Sequence, residues 1–466
     1  DDDATGSAYV FGRGAGGWTE QAVLRAAGAE PIDLFGASVA IDGDTIVVGA
    51  TGEDGGLPGI DPDGSDNTKA RSGAAYVFVR TGTTWAQQAY IKASNPSGSD
   101  YFGTSVAVFG DTAIVGAPLE DSSANGIDGD QGGGAADAGA AYVFVRTGGT
   151  WTQQAYVKAA HSGAGDLFGS SVAIDGTTAV VGAPGEDSAA TGVNGSQTNN
   201  ASNAAGAAYV FVHDGTSWSQ QAFLKASNTG GGDEFGKSVS VFGDEIAVGA
   251  NSEDSSSLDI NVGESDNSDS NSGAVYVFER SGSTWGSPVY VKSWYGSEWF
   301  GHSVSLGDES LVVGADRDSH GGTGIDSDPD FFPGHNFSGA TFSFAVEARG
   351  IGRSGCPGED RPQLTGVVSA TSGFELDCPE LTEPCFVNRV MLFGACDRIG
   401  VMVPPPLGCD PDCLLVVGPI WGSAGRLVVG PGLPLGLELC VQCGCVAAPS
   451  FLCVNLSEGR RILVGP

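Results

Sequence analysis

The sequence predicts an all-β protein in which a β-propeller of five repeats is followed by a small cysteine-rich β-domain. Three observations support this prediction. A Phe-Gly segment recurs with a nearly constant period, each repeat holds four short strand-like segments, and every cysteine lies beyond the last repeat. A fixed period of this size is the sequence signature of a repeat architecture.

The repeating unit opens on Phe-Gly, continues through an alternating Ser-Val segment and closes on a Val-Gly-Ala triplet. Successive units are 67, 66, 67 and 65 residues apart, counted between their phenylalanines. These phenylalanines are Phe35, Phe102, Phe168, Phe235 and Phe300. The first two strands of each repeat are therefore a Phe-Gly strand and a Val-Gly-Ala strand.

A second pair of segments lies between these units. One reads A-Y-V-F, and the other reads W-x-x-Q-x-x-x-x-K after a short glycine turn. Both are rich in β-branched and aromatic residues and bounded by turn residues, which is typical of strands. Four strands make one propeller blade, whose two faces become buried when blades pack radially. We expect the recurring aromatic side chains to pack between blades and the paired glutamines to make structural hydrogen bonds.

The order F-G-x-S-V, V-V-G-A-P and G-A-x-Y-V-F resembles the FG-GAP repeat of integrin alpha-subunit propellers and of many secreted bacterial proteins. The resemblance covers roughly residues 1–345, five times over. It implies a β-propeller, calcium in the loops between strands, and a role in extracellular adhesion or assembly.

The repeats end near Val346, which predicts a propeller over 1–346, a linker over 347–358 and a second domain over 359–466. Alternating segments in this last part predict a small β-sandwich. An even number of cysteines in so short a segment favours disulfides and an oxidising compartment. The alternative is a metal site, for which the spacing in C-V-Q-C-G-C is suitable. The cysteines are Cys356, Cys378, Cys385, Cys396, Cys409, Cys413, Cys440, Cys443, Cys445 and Cys453.

The formal charge of −35 is concentrated in the repeats. The residues before Arg349 hold 13 Lys and Arg against 45 Asp and Glu. Such a surface repels nucleic acid and anionic lipid and favours the binding of divalent cations. The sequence opens on Asp1-Asp2-Asp3 without a basic or apolar segment, so we expect a mature form whose leader has been removed. No apolar run is long enough to insert in a membrane. We expect an extracellular or cell-surface location.

A long acidic loop joins the Val-Gly-Ala strand to the A-Y-V-F strand in every repeat. An acid follows the Ala by three residues, and an Asp or Asn comes eight residues later. Oxygen side chains that alternate with glycine suit Ca²⁺, which takes six to eight oxygen ligands. The alternative is a set of solvated turns in which Asp and Asn bond to the backbone. The candidate ligands are Glu53, Asp54, Asp61, Asp63, Asp66, Glu120, Asp121, Asp128, Asp130, Glu186, Asp187, Asn194, Glu253, Asp254, Asn261, Asp266, Asp318, Asp326, Asp328 and Asp330.

The fifth repeat carries large aromatic residues where earlier repeats carry Ser and Asn. Trp294 and Tyr295 follow its lysine, and Trp299 precedes its Phe-Gly. Blade packing does not explain aromatics at loop positions, so these three residues are a candidate contact surface. The alternative is that they cover the junction with the next domain.

The sequence does not predict an enzyme. Its five histidines occupy non-equivalent positions, no G-x-S-x-G elbow occurs, and repeated carboxylates do not form one special pair. We expect a calcium-binding adhesion or structural protein whose partners are other protein chains, including itself, or surface glycans. The alternatives are a glycan-binding module that uses the three aromatics and a polysaccharide hydrolase or lyase with its site at the propeller axis.

The strand count predicts one surplus strand. Ala340 to Phe344 is a sixth copy of the third strand, after the copy at Ala8 to Phe11. The N-terminal pair, Ala8 to Phe11 and Gln21 to Arg25, completes the fifth blade only if Ala340 to Phe344 is displaced. An unpaired strand is a template for a neighbouring chain. Head-to-tail donation of one strand need not close, so the surplus strand predicts a filament.

Overall fold

The structure is a computed structural model that describes residues 4–14, 17–258, 260–261, 263–293, 299–307, 310–317 and 340–345, and seven further strands between residues 363 and 456. Every regular element among these residues is a β-strand. The first two are β1 (Ala8–Gly14) and β2 (Gly17–Leu24), which form an antiparallel two-stranded sheet, the N-terminal hairpin.

Blade 1 shows how one repeat folds. Its strands are β3 (Phe35–Asp42), β4 (Thr45–Ala50), the short β5 (Gly59–Ile60), β6 (Ala74–Thr81) and β7 (Thr84–Lys92). The sheet order is β3-β4-β6-β7-β5. The Phe-Gly, Val-Gly-Ala, A-Y-V-F and tryptophan segments therefore form four neighbouring strands in sequence order, which confirms the prediction of four strands per repeat.

Blades 2 to 4 repeat this antiparallel sheet. Blade 2 contains β8 (Ser105–Phe109), β9 (Thr112–Ala117), β10 (Ala140–Thr147) and β11 (Thr150–Val157). Blade 3 contains β12 (Ser171–Asp175), β13 (Thr178–Ala183), β14 (Ala207–His213) and β15 (Trp218–Leu224). Blade 4 contains β16 (Ser238–Phe242), β17 (Glu245–Ala250), β18 (Ala274–Ser281), β19 (Thr284–Trp285) and β20 (Val289–Val291), the last two sharing the fourth-strand position.

Blade 5 contains β21 (Phe300–Leu306), β22 (Ser310–Ala315) and β23 (Ala340–Ala345), in that order. The first strands of successive blades lie side by side from β3 to β21. The result is a five-blade β-propeller, as predicted. The segment predicted as surplus, β23, holds the third-strand position beside β22, and the N-terminal hairpin remains a separate sheet. Three strands of the fifth repeat are described, so the prediction of four strands stays a prediction there.

Glycine and serine of the repeated motif fasten each blade to the next. The Ser38 hydroxyl donates to the carbonyl oxygen of Gly103, 2.7 Å away, and blades 2 to 4 repeat this bond at 2.8 Å. Gly103 has a φ of +93°, which favours glycine. A Cβ on Gly49 would overlap the same carbonyl oxygen. The Phe-Gly and Val-Gly-Ala signals thus reflect one close contact between the backbones of adjacent blades.

The core lies between the blades. At the junction of blades 1 and 2, Val47, Val77 and Phe102 belong to one buried apolar cluster. Phe102 in turn makes an edge-to-face contact with Tyr142, with ring centroids 5.3 Å apart. The tryptophan indoles of blades 2 to 4 donate to glutamines of the preceding blade, as Trp151 does to Gln88 Oε1 at 2.8 Å. These contacts confirm the structural roles expected for the recurring aromatic and glutamine side chains.

The last seven strands form two antiparallel sheets. One has the order β24-β25-β28-β27 and the other has the order β26-β29-β30. Their bounds are β24 (Gln363–Thr365), β25 (Phe374–Asp377), β26 (Val390–Phe393), β27 (Ile420–Ser423), β28 (Arg426–Val429), β29 (Leu437–Cys445) and β30 (Ala448–Leu456). The register places the backbone of Cys440 opposite that of Cys453. The predicted sandwich packing and disulfides concern side chains outside the described residues and stay predictions.

The chain divides into two compact units. The first contains Asp1–Gly307, Val312–Gly321 and Pro329–Phe342, and the second contains Asp308–Leu311, Gly322–Asp328 and Ser343–Pro466.

Candidate functional site

In blades 1 to 4 the first acid of the loop forms a buried ion pair with the lysine at the end of the tryptophan strand. Lys92 pairs with Glu53 in blade 1. The same pair recurs in blades 2, 3 and 4, with Nζ to Oε2 distances of 2.9, 2.8 and 3.0 Å. The pairs in those blades are Lys158 with Glu120, Lys225 with Glu186, and Lys292 with Glu253. These glutamates were predicted as calcium ligands, and the structure places a lysine at each of them.

Further hydrogen bonds complete each buried pair. In blade 1 the Tyr90 hydroxyl donates to Glu53 Oε1 at 2.7 Å, and Lys92 donates to the Gly73 carbonyl oxygen at 2.6 Å. Burial lowers the pKa of the lysine in all four blades, and the glutamate beside it opposes that shift. A buried charge needs a partner of opposite sign, and each pair supplies one within its own blade.

The acid that follows each glutamate binds the backbone across the loop. Asp54 Oδ1 accepts the N–H of Arg71 at 2.7 Å, and Arg71 has a left-handed φ of 54°. Blades 2 to 4 repeat this bond at 3.0, 2.8 and 2.9 Å. The acceptors there are Asp121, Asp187 and Asp254. Each aspartate thus closes the turn that leads into the third strand.

The Asp or Asn eight residues further on attaches the loop to the fourth strand. Asp61 donates its N–H to the Tyr90 carbonyl at 2.7 Å and accepts the Tyr90 N–H on Oδ1 at 2.8 Å. Asp128, Asn194 and Asn261 repeat both bonds in the next three blades. One side-chain oxygen suffices for this role, which explains why either Asp or Asn can occupy the position.

The other candidate ligands also bond within their own loops. Asp63 Oδ1 accepts from the N–H and hydroxyl of Ser65, and these bonds lower the pKa of Asp63. Asp66 Oδ2 accepts the Gly56 N–H at 2.8 Å, and Asp130 Oδ1 accepts the Gly132 N–H at 3.0 Å. The remaining described candidate, Asp266, accepts a hydroxyl bond from Ser256.

These arrangements do not fit a metal centre built from the predicted carboxylates. Within the part of the chain that the structure describes, no group of three or more His, Cys, Asp or Glu side chains is placed to hold a metal ion. Asp318, Asp326, Asp328 and Asp330 of the fifth loop lie outside the described residues. Calcium binding itself stays a prediction.

A second set of buried acids was not among the candidate site residues predicted from the sequence. Each member stands two residues before a Phe-Gly phenylalanine and accepts a backbone N–H from three residues earlier, at 2.6 to 2.7 Å. Burial raises the pKa of all four, to about 7 for Asp100 and about 6 for Asp233. The others are Asp33 and Asp166. The sequence does carry a signal for this set, because an acid recurs two residues before the phenylalanine of the Phe-Gly motif.

The repeats match a known family. The model of the FG-GAP repeat matches residues 18–78, 85–144, 151–211 and 218–278, which together make up just over half of the chain. The chain belongs to the FG-GAP repeat family. Each match begins at a tryptophan strand and ends in the A-Y-V-F strand of the following blade, so the FG-GAP sequence unit is offset by one strand from the structural blade. A comparison with curated proteins finds no match.

The aromatic contact surface predicted on this FG-GAP protein is only partly described. Trp294 and Tyr295 lie outside the described residues. The guanidinium of Arg317 lies 3.6 Å from the centroid of the Trp299 ring, and the ring of His302 stacks near it with centroids 6.2 Å apart. Trp299 therefore packs against side chains of its own blade.

The N-terminal hairpin and blade 1 of the FG-GAP propeller share an exposed apolar surface, here called the N-terminal apolar face. Its members are exposed by 41 to 68 %, whereas their counterparts in blades 2 to 4 are buried against the preceding blade. The face consists of Tyr9, Phe11, Trp18, Val23, Val39 and Ile41. The sequence indicated buried packing at these positions, and the N-terminal copy is the exception.

None of the described residues belongs to a helix that is long and apolar enough to cross a membrane.

Proposed function

We propose that this FG-GAP protein is a non-catalytic scaffold for adhesion or assembly outside the cell, and that it binds other protein chains. FG-GAP repeats form propellers, often in extracellular or adhesion-related proteins. The observation that carries the proposal is the family, since the FG-GAP repeat matches four times over just over half of the chain.

The charged groups support a non-catalytic role. In the described blades the buried carboxylates and lysines recur at equivalent positions and bond to each other or to the backbone. A catalytic site requires one constellation that differs from its copies and faces a reactant. The described repeats instead use their titratable groups to hold strands and loops together.

The acidic surface and the confined cysteines support the extracellular location. Cysteines that cluster in one short domain favour disulfides, which persist in oxidising compartments. In this proposal calcium binds at the fifth acidic loop, because only there do three acids alternate, at Asp326, Asp328 and Asp330. The loops of blades 1 to 4 are held by their own hydrogen bonds.

An adhesion assay tests the proposal. Beads coated with the whole chain are expected to attach to intact cells of the source organism, and antibodies are expected to label those cells without permeabilisation. Attachment no better than that of albumin-coated beads contradicts the proposal.

A further inference from the structure

An asparagine amide links two buried side chains in blade 2. Asn95 Oδ1 accepts the hydroxyl of Tyr142 at 2.6 Å, and Asn95 Nδ2 donates to Glu120 Oε1 at 2.8 Å. Nδ2 also donates to the carbonyl oxygen of Gln131 at 3.5 Å. Asn228 makes the same three bonds in blade 4, where its partners are Tyr276, Glu253 and Glu264. A primary carboxamide suits this place because it offers one acceptor and two donors.

Two further side chains fill the space beside this amide in blades 2 and 4. Gln131 Oε1 accepts the hydroxyl of Ser94 at 3.0 Å, and Glu264 Oε2 accepts the hydroxyl of Ser227 at 2.6 Å. Three polar side chains therefore lie beside the tyrosine of the third strand. Two come from the segment that enters the blade, and one comes from the acidic loop of that blade.

Blade 1 lacks all three of these side chains. Their positions lie nine and ten residues after the preceding tryptophan, and three residues after the Asp or Asn that attaches the loop. In blade 1 these positions hold Ala27, Gly28 and Gly64. All three line one cavity of about 200 Å³. Blade 1 thus has a cavity where blades 2 and 4 have polar side chains.

The floor of this cavity carries buried polar groups. Asp33, Glu53, Tyr76 and Tyr90 line it and are at most 8 % exposed. Within the described part of the chain the Tyr76 hydroxyl has no hydrogen-bond partner, whereas its counterparts in blades 2 and 4 donate to the asparagine. Burial raises the pKa of Tyr76, so the hydroxyl keeps its proton and remains a donor. A ligand with an acceptor atom would satisfy this donor.

Blade 3 also lacks the asparagine, but its tyrosine is enclosed. His161 stands at the asparagine position and is exposed, and the Tyr209 hydroxyl is buried without a hydrogen-bond partner. The rim of the blade 1 cavity instead includes the exposed residues Gly28, Glu30 and Asn67. The Tyr76 side of blade 1 is therefore accessible to a ligand from solution.

The loop glutamate supplies an acceptor on the same floor. In blade 4 the Tyr290 hydroxyl donates to Glu253 Oε2, which leaves Oε1 to Asn228. In blade 1 the Tyr90 hydroxyl donates to Glu53 Oε1. A ligand N–H takes the place of the asparagine N–H when Tyr90 turns to the other oxygen, as in blade 4.

These groups select a ligand by its hydrogen bonds. Glu30, Asp33 and Glu53 repel an anion, and an ammonium group has only donors and leaves the Tyr76 proton unpaired. The amide of an N-acetylated sugar has one N–H, whereas the amides of blades 2 and 4 donate twice. A primary carboxamide meets every condition.

We propose that the blade 1 cavity binds the side chain of an asparagine or glutamine of a partner protein, with its oxygen on the Tyr76 hydroxyl and its nitrogen on Glu53. The partner then supplies in blade 1 the contact that the chain supplies for itself in blades 2 and 4. This inference rests on the proposed function and deepens it by naming the group that the propeller recognises on its partner.

A peptide copied from the chain tests the ligand class. The probe is Ala-Ser-Asn-Pro-Ser-Gly, residues 93–98, which fill the corresponding place in blade 2. Titrated into the full chain and followed by ligand-observed NMR, it should bind, and the same peptide with Asp for Asn should bind at least about tenfold more weakly. Tyr76→Phe should weaken binding of the Asn peptide by roughly tenfold. Tyr209→Phe, the matched control, should leave binding unchanged.

Filling the cavity from within tests its location. Gly28 has a φ of +80°, so Gly28→Asn and Gly28→Ala both place a side chain on a left-handed residue, and only the first adds an amide. Gly28→Asn should abolish peptide binding, and Gly28→Ala should retain it. Gly28→Asn should also have the higher midpoint in denaturant unfolding. Tyr76→Phe should remove that advantage, because the advantage depends on the Tyr76 hydroxyl.

Three results overturn the inference. They are no binding of the Asn peptide at its highest soluble concentration, equal binding of the Asn and Asp peptides, and binding that Gly28→Asn or Tyr76→Phe leaves unchanged. Tighter binding of N-acetylglucosamine than of the peptide overturns the assignment to a protein partner. A chain that binds no peptide but whose coated beads attach to cells removes the inference and leaves the proposed function in place. A chain that binds the peptide while its beads do not attach removes the adhesion proposal alone.

Discussion

The buried ion pair of blade 3 allows a quantitative prediction. Lys225 Nζ lies 2.8 Å from Glu186 Oε2 and 2.5 Å from the Gly206 carbonyl oxygen, and both charged side chains are almost fully buried. Lys225→Met leaves the Glu186 carboxylate buried without its cation. Breaking such a pair from one side costs about 3–5 kcal/mol in the free energy of unfolding.

Blade 1 provides a matched comparison. After Lys92→Met, Glu53 keeps the hydroxyl bond from Tyr90, whereas blade 3 has Phe223 at that position. A hydrogen bond to a charged group contributes about 1.5–3 kcal/mol, so Lys92→Met should cost less than Lys225→Met by roughly that amount. Because Lys92 also donates to Ser72 Oγ at 2.7 Å, where blade 3 has Ala205, the comparison is made in a Ser72→Ala background so that the difference isolates the Tyr90 hydroxyl.

A double-mutant cycle and a pH series complete the assay, with unfolding followed by circular dichroism in denaturant. Lys225→Met combined with Glu186→Leu should recover most of the stability, because no unpaired charge remains. Burial already raises the pKa of Glu186 against the opposing effect of Lys225. In Lys225→Met alone a protonated Glu186 is favoured by folding, so stability should rise as pH falls. A single-variant cost below about 1 kcal/mol with no coupling in the cycle would refute the reasoning.

Three further predictions concern other features of the blades. Folding raises the pKa of Asp100 to about 7 from its ordinary value of 3.8. The contribution of Asp100 to the free energy of unfolding is therefore complete below pH 3.8 and is lost as the pH rises through about 7. Asp100→Asn should flatten this dependence and raise the midpoint denaturant concentration at alkaline pH. Gly49→Ala forces a Cβ against the carbonyl oxygen of Gly103 and should cost about 1–3 kcal/mol or more, measured by denaturant unfolding. EDTA should lower the melting temperature through a single site at residues 326–330, which contributes ~2.7 kcal/mol at a hundredfold excess of calcium over its dissociation constant.

Controls make each of these predictions decisive. Asp63→Asn, at an exposed acid whose pKa is lowered, should not reproduce the effect of Asp100→Asn. Gly133→Ala adds a methyl group to open space and should be tolerated. Replacing the three fifth-loop acids by Asn should abolish the EDTA effect, and Asp61→Asn should not. An unchanged melting temperature in EDTA at low ionic strength contradicts calcium binding.

The sequence by itself determined the repeat, its four strands and the family. Local patterns specify these features, because alternation and turn residues identify strands and a fixed period identifies repeated blades. The Phe-Gly and Val-Gly-Ala motifs could be recognised in the sequence for the same reason. They record a contact between adjacent backbones that blades 1 to 4 all make, so the same residues recur at the same spacing.

Only the tertiary structure decided what the loop carboxylates bind. Alternating acids look alike in sequence whether they face a cation, a lysine or a backbone N–H. The choice depends on which groups converge across a loop and a strand that are far apart in the chain, as with Glu53 and Lys92. One signal was available: a lysine that recurs inside an apolar strand must find a buried acid that recurs with it.

Tertiary structure also decided which strand holds the third position of blade 5 and how exposed the N-terminal copy is. Tyr9 and Tyr76 stand in nearly identical local sequences, yet Tyr9 is 59 % exposed and Tyr76 is 4 % exposed. The difference lies in whether another blade covers them. Burial in a repeat architecture is a property of the neighbouring unit, and the sequence of one repeat cannot contain it.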